Sequence, residues 1–147
     1  MKKLIIIPAY NEAESIEATV RGIQSKMHGF DYVVINDCST DETPDICRKN
    51  NFNMVSLPVN LGIGGAVQTG YIYARDNGYE IAVQMDGDGQ HDVEFVQRMA
   101  EHLEKNKLDM VIGSRFITHE GFQSSRLRRV GISSVSYTHL RAHETKA

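Results

Sequence analysis

Asp86 and Asp88 stand two residues apart, between Gly87 and Gly89, directly after the buried-strand pattern that starts at Glu80-Ile81-Ala82-Val83. In near-extended backbone, residues i and i+2 project to the same side, so the two carboxylates can face one point while the glycines let the chain curl around it. Two acids held that close repel each other unless a cation lies between them. A hard divalent ion completed by substrate phosphates suits the pair, because Mg²⁺ usually takes only one or two protein carboxylates. Taken alone, Asp-x-Asp also fits a solvated acidic turn, since Asp and Gly are common turn formers. The elements around the pair must decide between the two.

Four further polar or glycine-rich clusters share its setting: Tyr10-Asn11-Glu12, Asp37 to Asp41, Asn60 to Gly65, and Ser114-Arg115. Each follows an apolar run that reads as a strand: Lys3 to Ile7, Phe30 to Asn36, Met54 to Leu57 and Leu108 to Ile112. Between them lie helical patterns: about Glu14 to Lys26, with Ile16, Val20, Ile23 and Met27 inward; Pro44 to Asn50, capped by Thr43-Pro44; a third whose inner face is Val67, Tyr71 and Ala74; and a fourth opened by Asp92. Strict alternation with continuously apolar strands predicts an α/β domain, mainly a parallel sheet with helices on both faces. In that architecture ligands bind beyond the carboxyl ends of the strands. All five clusters should therefore open onto one rim, which favours a ligand site over a solvated turn. Asn60 to Ala66 should supply a tight turn and close backbone approach.

The totals narrow the ligand. The 147 residues are 41% hydrophobic and 24% charged with net charge -3, and no basic stretch is interleaved with stacking aromatics. No nucleic-acid partner is expected. Cys38 and Cys47 are too few for a disulfide framework and read as cytosolic thiols. The apolar start stops at Pro8, too early for a signal peptide, and nothing reaches the roughly 18 apolar residues of a membrane span. The loop Pro8-Ala9-Tyr10-Asn11-Glu12 lacks the Gly-x-Gly-x-x-Gly of dinucleotide folds and the glycine- and arginine-rich loop of nucleotidyltransferases, and no P-loop occurs. An EF-hand reading from Asp86 fails at His91 and Gln97. What remains is scattered acids for a nucleoside, an acid pair for a metal on a diphosphate, and Arg115 for phosphate. Those are the requirements of a sugar nucleotide.

Five motifs in order carry a family resemblance: Ile6-Ile7-Pro8-Ala9-Tyr10-Asn11-Glu12, Asn36-Asp37-Cys38-Ser39-Thr40-Asp41, Asn60-Leu61-Gly62-Ile63-Gly64-Gly65-Ala66, Met85-Asp86-Gly87-Asp88-Gly89-Gln90-His91 and Gly113-Ser114-Arg115-Phe116. Together they resemble the inverting family 2 glycosyltransferases, most closely the dolichyl- and polyprenyl-phosphate sugar transferases, over about Lys3 to Arg129. The resemblance implies a Rossmann-like GT-A nucleotide-sugar-binding domain. It places Pro8, Tyr10, Glu12 and Asp37 on the nucleoside, and Asp86 with Arg115 on the phosphates. Mg²⁺ or Mn²⁺ would be held by Asp86, Asp88 and Gln90. The implied donor is GDP-mannose or a UDP-hexose, and the implied acceptor is a polyprenyl (dolichyl or undecaprenyl) phosphate. Physically, Asp37 at a strand end can accept hydrogen bonds from base N–H or ribose hydroxyl groups, and Tyr10 offers a flat face for a base or for partial core packing.

Residues 1–131 are thus expected to form the donor-binding portion of a glycosyltransferase, incomplete at its C-terminal side. Residues 132–147 are expected to be a non-native, disordered tail, because Ser136 to Ala147 lacks apolar periodicity and resembles translated sequencing-adapter read-through. The family's acceptor-side motifs and membrane segments normally follow, so the whole enzyme is expected in the cytoplasm, at the inner face of the membrane. Two other readings stay open: a soluble family 2 transferase acting on polysaccharide or protein, and an inactive nucleotide-binding fragment.

Overall fold

Four strands, β1 (Lys3–Ala9), β2 (Phe30–Asn36), β3 (Met54–Ser56) and β4 (Ile81–Gln84), form one parallel sheet in the order β3-β2-β1-β4. They are seen in a computed structural model that describes residues 1–86 and 93–113. Register runs from Lys3 opposite Phe30 to Ala9 opposite Asn36, and from Lys3 opposite Ile81 to Ile6 opposite Gln84. Successive strands step outward from β1 to β3, and the chain then returns to place β4 on the other side of β1. The strand order therefore reverses between β1 and β4, which opens a crevice at their carboxyl ends.

β1 is the centre of the core because both of its faces are covered. Ile5, Ile7 and Ala9 point toward α1 (Ile16–Lys26), α2 (Thr43–Lys49) and α4 (Val93–Asn106), where they pack with Val20, Ile23, Cys47 and Val96. Leu4 and Ile6 point the other way, toward α3 (Gly62–Asp76), and pack with Ala66 and Ala74. Leu4 to Ile7 are all fully inaccessible to solvent. Each such side chain contributes about 1.5–3 kcal/mol of burial, which fixes β1 rigidly beneath its loop. α1 closes where the Met27 N–H bonds the Ile23 carbonyl at 2.8 Å, and Gly29, at φ 88°, turns the chain into β2.

Three local expectations change. The inner face of α3 is Ala66, Gly70 and Ala74 rather than Val67, Tyr71 and Ala74; Tyr71 is 46% exposed. The cause is distance: a Cβ on Gly70 would run into the Ile6 side chain, so only small residues let the helix lie this close to β1. The glycine-rich stretch expected as a turn is itself the first turn of α3, which begins at Gly62. Finally, Leu108 to Ile112 forms no strand, and Met110 and Ile112 stand exposed. Strand propensity expresses itself only through a pairing partner, and among the described residues β4 pairs with β1 alone. The segment 132–147 lies outside the described residues.

Candidate functional site

Beyond the carboxyl ends of β1, β2 and β4 lies a pocket of about 440 Å³ lined by Pro8, Ala9, Tyr10, Glu12, Asp37, Asn60, Gly62, Ile63, Ala66 and Asp86. Five residues singled out in the sequence meet here: Pro8, Tyr10, Glu12, Asp37 and Asp86. They come from the end of β1 and from the loops after β1, β2 and β4, spread over nearly eighty residues of chain, and the parallel sheet is what gathers them. Tyr10 is 49% exposed, so it flanks the pocket rather than filling the core. Asp88, Gln90 and Arg115 lie outside the described residues.

The loops after β1 and β2 are stitched into one surface by side chains that bond backbone. Asn11, in the left-handed region at φ 55°, donates its N–H to Ser39 Oγ and accepts the Thr40 N–H on Oδ1 at 2.8 Å. The Glu12 N–H bonds Thr43 Oγ1 at 2.9 Å, and the Ala13 N–H bonds Asp41 Oδ2 at 3.1 Å. Asp41 Oδ1 accepts the Thr43 N–H at 2.9 Å, so this aspartate caps α2 while pinning the start of the loop into α1. Burial alone would raise the Asp41 pKa, but the Thr43 hydroxyl and N–H and the Ala13 N–H outweigh it and hold the carboxyl below its ordinary range. Beneath them, Asn36 Oδ1 accepts the Ser39 N–H at 3.1 Å while its amide donates to Ser56 Oγ at 3.2 Å. Hydrogen bonds of this kind preorganise loops that would otherwise have to be ordered by the ligand.

Asp37 is buried, with 3% of its surface exposed. Its N–H donates to the Ala9 carbonyl at 2.9 Å, continuing the β1–β2 ladder one step into the loops. Its Oδ1 accepts the Leu61 N–H at 2.7 Å, and its carbonyl accepts Asn60 Nδ2 at 3.1 Å. The aspartate expected to meet a nucleoside thus also fastens the start of α3. Asn60, Ile63 and Ala66 line the pocket too; the sequence places their stretch on the rim as a tight turn, without a ligand contact for any one of them. The available signal was Asn60-x-Gly62 after a strand, an Asx-turn in which Asn60 Oδ1 accepts the Gly62 N–H at 3.1 Å.

Electrostatically the pocket is acidic among the described residues, whose share of the lining holds Glu12, Asp37 and Asp86 and no lysine or arginine. Asp86 stands two residues beyond the end of β4, is half-buried, and has Gln84 Nε2 at 3.4 Å from Oδ1. A cluster of acids admits an anionic ligand only with a cation, and a carboxylate oxygen is the hard donor that Mg²⁺ or Mn²⁺ takes. No group of three or more His, Cys, Asp or Glu placed to hold a metal occurs among the described residues. One protein carboxylate plus ligand phosphates is within the habit of Mg²⁺. A second, more open depression of about 770 Å³, lined by residues that include Asn11, Glu14, Thr40, Asp41 and Asp45, sits over the stitched loops and shares Glu12 with the first. Both cysteines are free, and burial pushes the Cys47 thiol up, which makes it an unreactive core group. No helix of the described residues is long and apolar enough to cross a membrane.

Comparison with known proteins agrees with this architecture. The family described as Glycosyl transferase family 2 matches residues 4–146. The undecaprenyl-phosphate mannosyltransferase of Micrococcus luteus is 33% identical over 120 residues, covering 78% of this chain and 49% of that protein. The chain spans about half the length of such curated relatives. Among solved structures, Staphylococcus aureus TarS superposes with a TM-score of 0.62 at 24% identity, over 85% of this chain and 39% of that one. The mannosyltransferase PcManGT of Pyrobaculum calidifontis, solved with GDP-Man and Mn²⁺, superposes with a TM-score of 0.53 at 28% identity, over 59% of this chain and 27% of its own.

Proposed function

The chain belongs to glycosyl transferase family 2, with the Rossmann-like GT-A architecture, and we propose that it binds a nucleoside-diphosphate sugar as the donor portion of a polyprenyl-phosphate glycosyltransferase. The observation that carries this reading is the convergence of Pro8, Tyr10, Glu12, Asp37 and Asp86 on one pocket at the strand-order reversal. Pro8, Tyr10, Glu12 and Asp37 hold the nucleoside, with Tyr10 as the flat face and Asp37 as acceptor for base N–H or ribose hydroxyl. Asp86, with Asp88 and Gln90 following it in sequence, holds Mg²⁺ or Mn²⁺ against the diphosphate, and Arg115 adds a planar fork for phosphate. The metal, when bound, neutralises charge growing on the leaving diphosphate.

The sugar leaves with inversion to the acceptor. A lipid phosphate suits that role because it is already ionised and needs no general base, unlike a hydroxyl acceptor. The relative from M. luteus, named for undecaprenyl phosphate, supports this acceptor class, and such an acceptor places the whole protein at the cytoplasmic face of the membrane. The mannosyltransferase solved with GDP-Man and Mn²⁺ supports the donor and metal.

Calorimetric titration of GDP-mannose, UDP-glucose and UDP-N-acetylglucosamine, with and without Mn²⁺, tests the reading. One donor should bind, more tightly with metal, and Asp88→Ala should remove the metal's effect. Binding of none of them, or binding indifferent to both metal and Asp88→Ala, overturns it.

A further inference from the structure

We propose that Asn60 is a positioning residue for nucleotide binding: it acts through Asp37, setting where the aspartate's carboxylate stands in the pocket. The inference rests on the donor-site reading above and names a residue that touches the ligand only indirectly.

The geometry is a three-point clasp. Asn60 Nδ2 donates to the Asp37 carbonyl at 3.1 Å, and Asn60 Oδ1 accepts the Gly62 N–H at 3.1 Å. The residue between them, Leu61, donates its N–H to Asp37 Oδ1 at 2.7 Å. One amide side chain therefore grips the backbone of Asp37 and, through the Asx-turn it forms, aims the next N–H at that residue's carboxylate. Only one orientation of the amide satisfies both bonds; rotated by half a turn, its oxygen would face a carbonyl and its nitrogen an N–H.

Two features make this arrangement more than a loop contact. First, Asp37 is 3% exposed and Asn60 lines the same pocket, so the clasp closes around a buried carboxylate that borders the ligand space. Second, the bond from Leu61 engages Oδ1, so the donor-site reading assigns Oδ2 to a base N–H or a ribose hydroxyl. Without the clasp, the carboxylate is free to rotate about its Cβ–Cγ bond, and its two oxygens exchange roles. The ligand must then restrain it at a cost in affinity.

Asn60→Ser separates the two halves of the clasp. Serine can still accept the Gly62 N–H in an equivalent turn, so the start of α3 is kept, but the donation to the Asp37 carbonyl is lost. The test measures the affinity of the 147-residue chain for GDP and UDP by calorimetry, for wild type, Asn60→Ser, Asp37→Asn and the double variant, with thermal midpoints recorded for each. Wild type should bind one of the two diphosphates. Asn60→Ser should weaken that binding about fivefold, the factor that one ordinary hydrogen bond carries, with a midpoint close to wild type. Asn60→Ser should add no further loss once Asp37→Asn is present. Asn60→Ser binding as tightly as wild type overturns the inference and leaves the donor site standing. So does a loss that adds in full to that of Asp37→Asn, the signature of a merely structural role. No diphosphate binding by wild type, or binding unchanged by Asp37→Asn, overturns both.

Discussion

The hydroxyl of Thr43 accepts the backbone N–H of Glu12 at 2.9 Å, joining the loop after β1 to the first residue of α2 across 31 positions of sequence. Thr43 is fully buried, and its hydroxyl also bonds Asp41. Replacing it with valine keeps the volume but strands the Glu12 N–H, which costs about 1–3 kcal/mol for a buried unpaired donor. Serine keeps the hydroxyl and gives up one methyl, about 0.8 kcal/mol. Urea denaturation of Thr43→Val and Thr43→Ser should rank valine as the more damaging. The reverse order would mean that packing, not the hydrogen bond, is what Thr43 supplies.

That bond also shows where the sequence was readable and where it was not. Thr43-Pro44 announced the start of α2 correctly, because proline at the start of a helix is a local signal. The expected capping by Thr43 was misplaced, since its hydroxyl is spent on a loop 31 residues away and Asp41 takes the Thr43 N–H. Long-range bonds leave no spacing to read. The strands of the core were legible because β1 and β2 carry the apolar runs Leu4 to Ile7 and Tyr32 to Ile35, and their alternation with helices puts the loops on one rim. The inner face of α3 was not legible, because Ala66, Gly70 and Ala74 carry little apolar signal and the larger Val67 and Tyr71 attracted the assignment. Leu108 to Ile112 was misread for the opposite reason: it has strand composition, but among the described residues it has no strand to pair with. Within the site, acids announced themselves, whereas Asn60 and Ile63 looked like parts of a turn.

Gly70 and Gly22 should respond to alanine with opposite signs. Both lie inside helices, where alanine is favoured over glycine by about 1 kcal/mol. At Gly22 the space beyond is open, so Gly22→Ala should stabilise by about 0.5–1 kcal/mol. At Gly70 the new methyl would run into Ile6, and overpacking of a tight core costs typically about 1–3 kcal/mol, which exceeds the helix gain. Chemical denaturation of both variants reads the difference directly. A stabilised Gly70→Ala would show that α3 can move off β1 cheaply.

The depressed Asp41 carboxyl predicts the acid limb of stability. Its folded-state pKa lies below the unfolded value, so its contribution is fully present above about pH 4, the ordinary carboxylate value, and is lost as pH falls through the folded pKa. Asp41→Asn removes that titration and also one charge-assisted cap of α2. The variant should be less stable than wild type near neutrality, and the gap should narrow as pH drops below about 4. Thermal midpoints across an acid series measure this. A gap that stays constant through the acid range would place the aspartate's contribution in packing rather than in its charge.

Asp86 offers the sharpest test of the metal, because one substitution should move affinity in two directions. Without a cation, the carboxylate repels a bound diphosphate, so Asp86→Ala should leave metal-free affinity for GDP or UDP unchanged or slightly raised. With Mn²⁺ the same carboxylate becomes a ligand, and its removal should cost about 10–100-fold, the range seen when even the supporting partners of a metal site are removed. Titration of wild type and Asp86→Ala with a nucleoside diphosphate, in Mn²⁺ and in chelator, gives four affinities. The ratio of the two metal effects isolates the ligand role from any general disturbance of the pocket, because a disturbed pocket weakens both conditions alike. Equal losses with and without Mn²⁺ would assign Asp86 to pocket structure and leave the divalent ion without this aspartate as its anchor.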